Sequence, residues 1–263
     1  MNKEKRKILA ALAVIMLLGM VALTWFRGEY SAVAGYDFAT SLKPIDDLTR
    51  SLYLWDERLY AGSPSVLTAG TLPYFLVQYL LEQIAGSLYR GQMIFFTLVL
   101  LLPGLGMYWF LLRSFYDSPE RLAIAFFGAV FYMFNTFVVV KWNRGEILTL
   151  FSYGLIPVYL ALADRGLRGP LTFGYWIALI AALFFFPASL GHTADFLIVT
   201  AIVLSFAVWL GYSLGPACVK RASAVAAASV MLSLWWALPL LFGMSSPSHA
   251  GASATSPRPA ASS

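Results

Sequence analysis

The sequence predicts an all-α integral membrane protein, a bundle of about seven transmembrane helices, and two observations support this prediction. Of the 263 residues, 60% are hydrophobic and only 12% are charged, whereas a soluble domain carries about 25% charged residues. So little charge cannot cover a water-facing surface of this size. The apolar residues are also gathered into long runs, without the period-2 alternation that marks a membrane β-barrel.

Seven apolar runs are long enough to cross a bilayer, whose hydrocarbon core of about 30 Å needs roughly 17–25 helical residues. They are residues 8–26, 92–112, 122–140, 147–163, 172–190, 194–212 and 222–242. The only charge within them is Asp195, at the edge of its run. A shorter run, 71–86, carries Gln78 and Glu82 on one stripe. For this run we expect an amphipathic helix lying in the membrane interface.

Basic residues predict how the bundle is oriented. Ten of the 18 Lys and Arg residues lie before the first run or in alternate short loops: Lys3, Lys5, Arg6, Lys7, Arg113, Arg121, Arg165, Arg168, Lys220 and Arg221. By the positive-inside rule this predicts a multi-pass protein of the cytoplasmic (inner) membrane with a cytoplasmic N-terminus. The same loops explain the net charge of +5 without nucleic-acid binding. Cleavage after Ala32-Val33-Ala34, with the first run as a signal peptide, is the alternative to a retained anchor.

The predicted domain organisation is simple. Residues 1–243 form one transmembrane domain, with a long first extracytoplasmic loop at 27–70 and the interfacial helix at 71–86. Residues 244–263 are rich in Ser, Ala and Pro. We expect them to be a disordered low-complexity tail, or a stretch in which the reading frame has been lost.

The loop 27–70 is the sizeable hydrophilic stretch between the apolar runs, and it is where chemistry is expected. Its acidic residues include Asp37, Asp46, Asp47, Asp56 and Glu57, and basic and aromatic side chains such as Trp55 lie between them. A carboxylate accepts a hydroxyl proton, cations hold a phosphate and aromatic rings pack on a sugar. The composition suits a site for a sugar carried on a lipid phosphate. It equally suits a solvated loop whose aromatic residues lie in the interface.

Two smaller groups are candidates at the same side of the membrane. Lys141, Arg144 and Glu146 lie between two runs, where they either bind a donor phosphate or simply snorkel and complement a helix dipole. His192 and Asp195 are three residues apart, a spacing that metal ligands use but that a helix cap explains as well. No cofactor is assigned, and a divalent cation is left open.

The order of motifs in the loop resembles a known family. The motifs are Gly35-Tyr36-Asp37-Phe38, Lys43-Pro44-Ile45-Asp46-Asp47, Leu52-Tyr53-Leu54-Trp55-Asp56 and Gly62-Ser63-Pro64. This order resembles the first extracytoplasmic loop of GT-C membrane glycosyltransferases, in particular the actinobacterial α-(1→3)-arabinofuranosyltransferases. Two further matches follow, at Asn143-Arg144-Gly145-Glu146 and Leu234-Trp235-Trp236-Ala237-Leu238-Pro239-Leu240-Leu241.

The resemblance implies a transferase that moves arabinofuranose from a polyprenyl-phosphate donor to a cell-wall or surface polysaccharide. It implies Asp37 as the catalytic base. The donor- or acceptor-binding residues that we predict with it are Asp46, Asp47, Trp55, Asp56, Lys141, Arg144, Glu146 and His192. The family has Thr-Lys where this chain has Phe38 and Ala39, and it continues into large extracytoplasmic domains. We therefore expect a truncated chain, inactive alone unless a separately encoded C-terminal region joins it.

Two other functions stay open at this stage. The chain is alternatively a non-catalytic membrane fragment or assembly subunit, or a transporter or lipid flippase. A transporter needs ionisable residues or broken helices near the middle of the membrane. The sequence contains no glycine-rich phosphate loop, so cytosolic nucleotide chemistry is not supported.

Overall fold

The computed structural model describes residues 3–26, 41–53, 55–56, 63–64, 66–186, 193–215 and 219–244. In this part of the chain the fold is helical apart from one short two-stranded pairing, which confirms the all-α prediction. The helices are α1 (Lys3–Gly19), α2 (Pro44–Ser51), α3 (Val66–Ala85), α4 (Leu88–Ser114), α5 (Arg121–Phe134), α6 (Thr136–Asn143), α7 (Ile147–Arg168), α8 (Phe173–Phe185), α9 (Thr193–Leu214) and α10 (Val219–Met244). A 3₁₀ helix, Met20–Trp25, continues α1, and strands β1 (Trp55–Asp56) and β2 (Ser63–Pro64) pair antiparallel.

Five helical segments are long and apolar enough to cross a membrane. They are Glu4–Trp25, Leu88–Ser114, Arg121–Asn143, Ile147–Arg168 and Val219–Leu238. The other two predicted spans fall on α8 and α9, where the described apolar helices, Phe173–Phe185 and Thr200–Leu214, are shorter. The structure thus supports a multi-pass membrane protein, and the number seven stays a prediction.

The core of the bundle is the parallel pair α4 and α7. Gly106 of α4 packs against Pro157, and Gly154 of α7 packs against Pro103. Helices in a membrane gain little from the hydrophobic effect, so they associate by close van der Waals packing, which small residues permit. Glycines at these two contacts allow that approach. Helix α1 runs antiparallel to α4, with Gly19 against Leu101.

The packing of the helices places the basic residues of their ends at one end of the bundle, which we call the basic end. Arg121, at the start of α5, bonds to Glu4, at the start of α1. Arg221, at the start of α10, donates to the backbone carbonyls of Arg168 and Gly169 at the end of α7. Together with the antiparallel α1–α4 and parallel α4–α7 packing, these contacts bring all ten predicted cytoplasmic basic residues to one end. The pattern expected of alternate loops is therefore a property of the fold, while the membrane face it occupies stays a prediction.

The third predicted span, 122–140, lies within Arg121–Asn143, which is long and apolar enough to cross a membrane, but its helix contains a break that the sequence did not predict. The helix breaks at Asn135, whose φ of −70° and ψ of 169° are extended. Its side-chain oxygen accepts the N–H of Val138 at 3.0 Å and so caps α6. Its amide donates to the carbonyl of Tyr132 at 3.1 Å and the hydroxyl of Tyr153 at 2.6 Å. A local polar network thus replaces the helical bonds, which is how asparagine competes with a helix backbone.

The predicted interfacial helix 71–86 is largely part of the longer α3, and of its two stripe residues Gln78 is buried while Glu82 is partly exposed. Gln78 is buried against neighbouring protein segments. Tyr74, one turn earlier, packs edge-on against Phe95 of α4 and Phe151 of α7. The Ser41 N–H donates to Oε1 of Gln78 at 3.0 Å, which offsets part of the cost of burying this amide. Its Nε2 finds no hydrogen-bond partner in the described part of the chain.

Candidate functional site

The end of the bundle opposite the basic end, which we name the opposite end, carries five of the predicted site residues. Asp46 and Asp47 lie on α2, and Lys141, Arg144 and Glu146 lie at the turn between α6 and α7. For Trp55 and Asp56 the structure gives the backbone pairing alone, with Trp55 opposite Pro64 and Asp56 opposite Ser63. Asp37, His192 and residues 245–263 lie outside the described residues.

Helix α2 forms because its sequence suits a short, well-started helix. Pro44 occupies the first turn, Asp46 and Asp47 follow in that turn, and Arg50 is in the last turn. The first turn of a helix tolerates proline, and acidic residues at the start with a basic residue at the end complement the helix dipole. The hydroxyl of Ser41 accepts the N–H of Lys43 at 3.0 Å and donates to the carboxylate of Asp47.

The two carboxylates of α2 have different surroundings. Asp47 receives the Ser41 hydroxyl and lies 3.5 Å from a guanidinium nitrogen of Arg50. Asp46 is half exposed, and its partner, Lys43 at 4.0 Å, is 79% exposed. An ion pair this long and this exposed contributes little. Asp47 is therefore occupied in holding α2 together, whereas Asp46 is available to an incoming molecule.

Two glutamines hold the segment that precedes α2. The N–H of Ser41 donates to Oε1 of Gln78 at 3.0 Å, and Nε2 of Gln92 donates to the carbonyl of Ser41 at 3.3 Å. All three residues are buried. Oε1 of Gln92 finds no hydrogen-bond partner within the described part of the chain. The sequence does not predict this clamp, and its two signals were glutamines in apolar runs, Gln78 within 71–86 and Gln92 at the start of 92–112.

The clamp depends on a tight hairpin between α3 and α4. Gly86 has a φ of +71°, a left-handed conformation that suits glycine. Ser87 then caps α4 by accepting the N–H of Arg90 at 3.3 Å. A Cβ on Gly91 would lie 2.8 Å from the backbone of Glu82. The hairpin therefore brings Gln78 and Gln92 within reach of the two backbone polar groups of Ser41. Burial raises the pKa of the Tyr74 phenol well above its ordinary value, so this neighbour remains a neutral hydroxyl.

The turn between α6 and α7 gathers three charged side chains. Glu146 contacts the ammonium of Lys141 and lies 3.5 Å from the guanidinium of Arg144. Glu146 and Lys141 are largely buried, while Arg144 is 68% exposed. Gly145 between them has a φ of +71°. Lys141 is thus neutralised inside the turn, and Arg144 is the cation that an anionic ligand reaches first.

Aromatic packing ties this turn to the rest of the opposite end. Trp142 packs on Trp25 with ring centroids 4.4 Å apart and on Phe96 at 5.8 Å. Phe96 lies one turn along α4 from Gln92. The last resemblance motif lies at the same end, because Trp235 stacks on Phe184 near the end of α8 with centroids 5.7 Å apart.

The structure brings the site residues to one end but does not join them into one constellation. Within the described ranges, no hydrogen bond or ion pair links Asp46 or Asp47 to Lys141, Arg144 or Glu146. The same ranges contain no group of three or more His, Cys, Asp or Glu residues that could hold a metal ion. What is present is two separate polar groups, one with an available carboxylate and one with an available guanidinium.

Comparisons with known proteins give no further assignment. No protein-family model, curated protein or solved structure matches the chain.

Proposed function

We propose that the chain is the membrane domain of a GT-C-type glycosyltransferase that acts at the opposite end of the bundle. It moves a sugar, arabinofuranose in the resembled family, from a polyprenyl-phosphate donor to a cell-wall or surface polysaccharide. One observation carries the proposal: described parts of three of the six resemblance motifs lie at one end. These parts are α2, the turn at Gly145 and the Trp235–Phe184 stack. They are far apart in sequence, and a chance resemblance does not require them to share an end.

The proposed chemistry needs one base and one anion-binding group. A carboxylate, Asp37 by the resemblance, takes the proton from an acceptor hydroxyl. The hydroxyl oxygen attacks the anomeric carbon as the bond from that carbon to the phosphate oxygen breaks. The lipid phosphate leaves with the electron pair. It is already anionic, so no general acid is required, in contrast to the paired carboxylates of glycoside hydrolysis.

We propose that Arg144 binds the departing phosphate. It is exposed at the opposite end, while Lys141 is engaged by Glu146. A guanidinium offers a planar set of donors that matches a phosphate. Glu146 then acts by holding Lys141 and the turn, so it is a positioning residue. Asp46 is the exposed carboxylate on α2 and is proposed to contact sugar hydroxyls.

The helix break at Asn135 is the observation that favours the transporter alternative. Broken helices line the binding sites of many transporters. Here the break falls after 14 of the 23 residues between Arg121 and Asn143, which is nearer the opposite end than the basic end. Asn135 is uncharged and uses its side chain within the bundle. The break is therefore accounted for by packing.

The test is a transfer assay with the full chain in membranes. The donor is radiolabelled polyprenyl-phosphate arabinofuranose, and the acceptor is an arabinan oligosaccharide. Asp37→Asn should abolish transfer, and Arg144→Gln should reduce it by roughly 10²-fold or more, as loss of an electrostatic group does. Asp117→Asn, an exposed carboxylate at the basic end, is the matched control and should keep the parental rate. Parental transfer by Asp37→Asn would overturn the catalytic assignment, and absence of transfer by the parental chain would favour the assembly-subunit alternative.

A further inference from the structure

A half-open groove of about 600 Å³ runs between α9 and α10. Helices α7 and α8 form its floor, because α9 packs on α7 and α10 packs on α8. Its walls are almost entirely apolar, with Leu179, Val203, Val225 and Leu234 as representative residues. A cavity of roughly 300–1,000 Å³ is the size that holds a small organic ligand.

The dimensions of the groove fit a hydrocarbon chain. Its lining residues on α10 extend from Ala222 to Ala237, a rise of about 22 Å at 1.5 Å per residue. That is most of the hydrocarbon thickness of about 30 Å. Both α7 and α10 are among the helices long enough to cross the membrane. At that depth the molecules that reach an apolar groove are lipids.

Four basic residues lie within two positions of groove-lining residues, at the basic end of α7 and α10. They are Arg165 and Arg168 on α7 and Lys220 and Arg221 on α10. Asp164 pairs with Arg168 at 2.6 Å, which leaves Arg165, Lys220 and Arg221 as net positive charge. Arg221 donates to two backbone carbonyls at 3.3 Å, and Arg165 lies 3.5 Å from the Thr172 hydroxyl. These contacts hold two guanidinium groups at the groove mouth.

A buried hydroxyl on the groove wall adds a hydrogen-bond donor. Tyr175 is 0% exposed and lines the groove. Its hydroxyl finds no hydrogen-bond partner in the described part of the chain. A buried hydroxyl without a partner is costly and calls for an explanation. A Cβ on Gly166 would collide with this hydroxyl, so the glycine provides the space in which it sits.

We propose that the groove and its basic mouth form a binding site for an anionic phospholipid. One acyl chain lies in the groove between α9 and α10. The phosphate lies against Arg165, Lys220 and Arg221, and the Tyr175 hydroxyl donates to a lipid oxygen. Charge complementarity selects the occupant, because a basic pocket between transmembrane helices suits an acidic head group. The site is at the other end of the bundle from the proposed transfer site, so it does not rest on the proposed function.

The test measures lipid binding to the purified full chain by native mass spectrometry. The probes are phosphatidylglycerol and phosphatidylcholine with identical acyl chains. We expect one phosphatidylglycerol to bind each chain at least tenfold more tightly than phosphatidylcholine. The triple variant Arg165→Gln, Lys220→Gln and Arg221→Gln should lose this preference. The triple variant Lys5→Gln, Arg6→Gln and Lys7→Gln removes the same charge from the same end and should keep it.

Two further experiments distinguish binding in the groove from attraction by charge alone. Ala226→Trp places a large ring on the groove wall and should weaken phosphatidylglycerol binding at least tenfold with the basic mouth intact. Glycerol 3-phosphate, which has the head-group phosphate without acyl chains, should not compete. Three results would each overturn the proposal: equal binding of the two lipids, equal loss in both triple variants, or full competition by glycerol 3-phosphate.

Discussion

The hydroxyls of Tyr132 and Tyr153 each donate to the backbone carbonyl of the other residue, at 3.1 and 3.2 Å. Their rings stack with centroids 4.2 Å apart and planes 10° from parallel. Asn135 completes the pair by donating to both residues. This reciprocal arrangement stabilises the break between α5 and α6, because the backbone groups freed by the break gain side-chain partners inside the bundle.

Asn135→Ala should destabilise the bundle, because it removes the cap of α6 and the two donations to the tyrosine pair. A lost cap alone costs about 1 kcal/mol, and 1 kcal/mol shifts the midpoint of unfolding by roughly 2–4 °C for a chain of this size. We expect the thermal midpoint in detergent micelles to fall by at least that amount. Asn143→Ala, at an exposed position on α6, is the control and should change it little. Equal midpoints for both variants would show that the Asn135 network is not stabilising.

Gly145→Ala should destabilise the turn that holds Lys141 and Glu146. A side chain at a φ of +71° is strained by about 1–2 kcal/mol, whereas asparagine tolerates this region. We therefore expect Gly145→Ala to lower the thermal midpoint and Gly145→Asn to lower it less. Gly174→Ala is the matched control, because a Cβ there meets no atom within 4 Å and alanine favours a helix. A larger loss in Gly145→Asn than in Gly145→Ala would contradict the strain argument.

Apolar run length and charge placement predicted the helices and the grouping of basic residues, because both follow from local sequence and the membrane solvent. The break at Asn135 was missed because it depends on Tyr153, 18 residues away. A single asparagine in an apolar run carries no signal of that partner. The run alone therefore predicts the span but not the break within it.

The site was predicted in part, for a similar reason. The acidic residues of α2 and the charged turn at Gly145 were visible as polar residues beside apolar runs. The Ser41 clamp joins residues 37 and 51 positions apart, and no local pattern reports such a contact. Asp46 and Arg144 are available to a ligand, whereas Asp47 and Lys141 are engaged with neighbouring side chains. This difference could be recognised only from the partners that the structure gives each residue.

The orientation of the bundle can be tested by thiol labelling in intact cells. Cys218→Ser removes the single cysteine, after which Asp46→Cys reports the opposite end and Asp117→Cys reports the basic end. By the positive-inside rule, a membrane-impermeant maleimide should label Asp46→Cys in intact cells. It should label Asp117→Cys only after the cells are permeabilised. The reverse pattern would place the proposed transfer site in the cytoplasm and remove the basis for an extracytoplasmic acceptor.

Loss of the glutamine clamp should release α2 without unfolding the bundle. Gln78→Leu and Gln92→Leu each leave one backbone polar group of the buried Ser41 without its partner, at a cost of about 1–3 kcal/mol. Cleavage of a transiently opened segment follows the population of the open form when opening is fast. We therefore expect trypsin to cut after Arg50 roughly tenfold faster in either variant. Gln83→Leu, an exposed position on the same helix, is the matched control and should be cut at the parental rate. An unchanged rate in both clamp variants would mean that other contacts hold α2, and equal acceleration in Gln83→Leu would mean that the effect belongs to α3 as a whole.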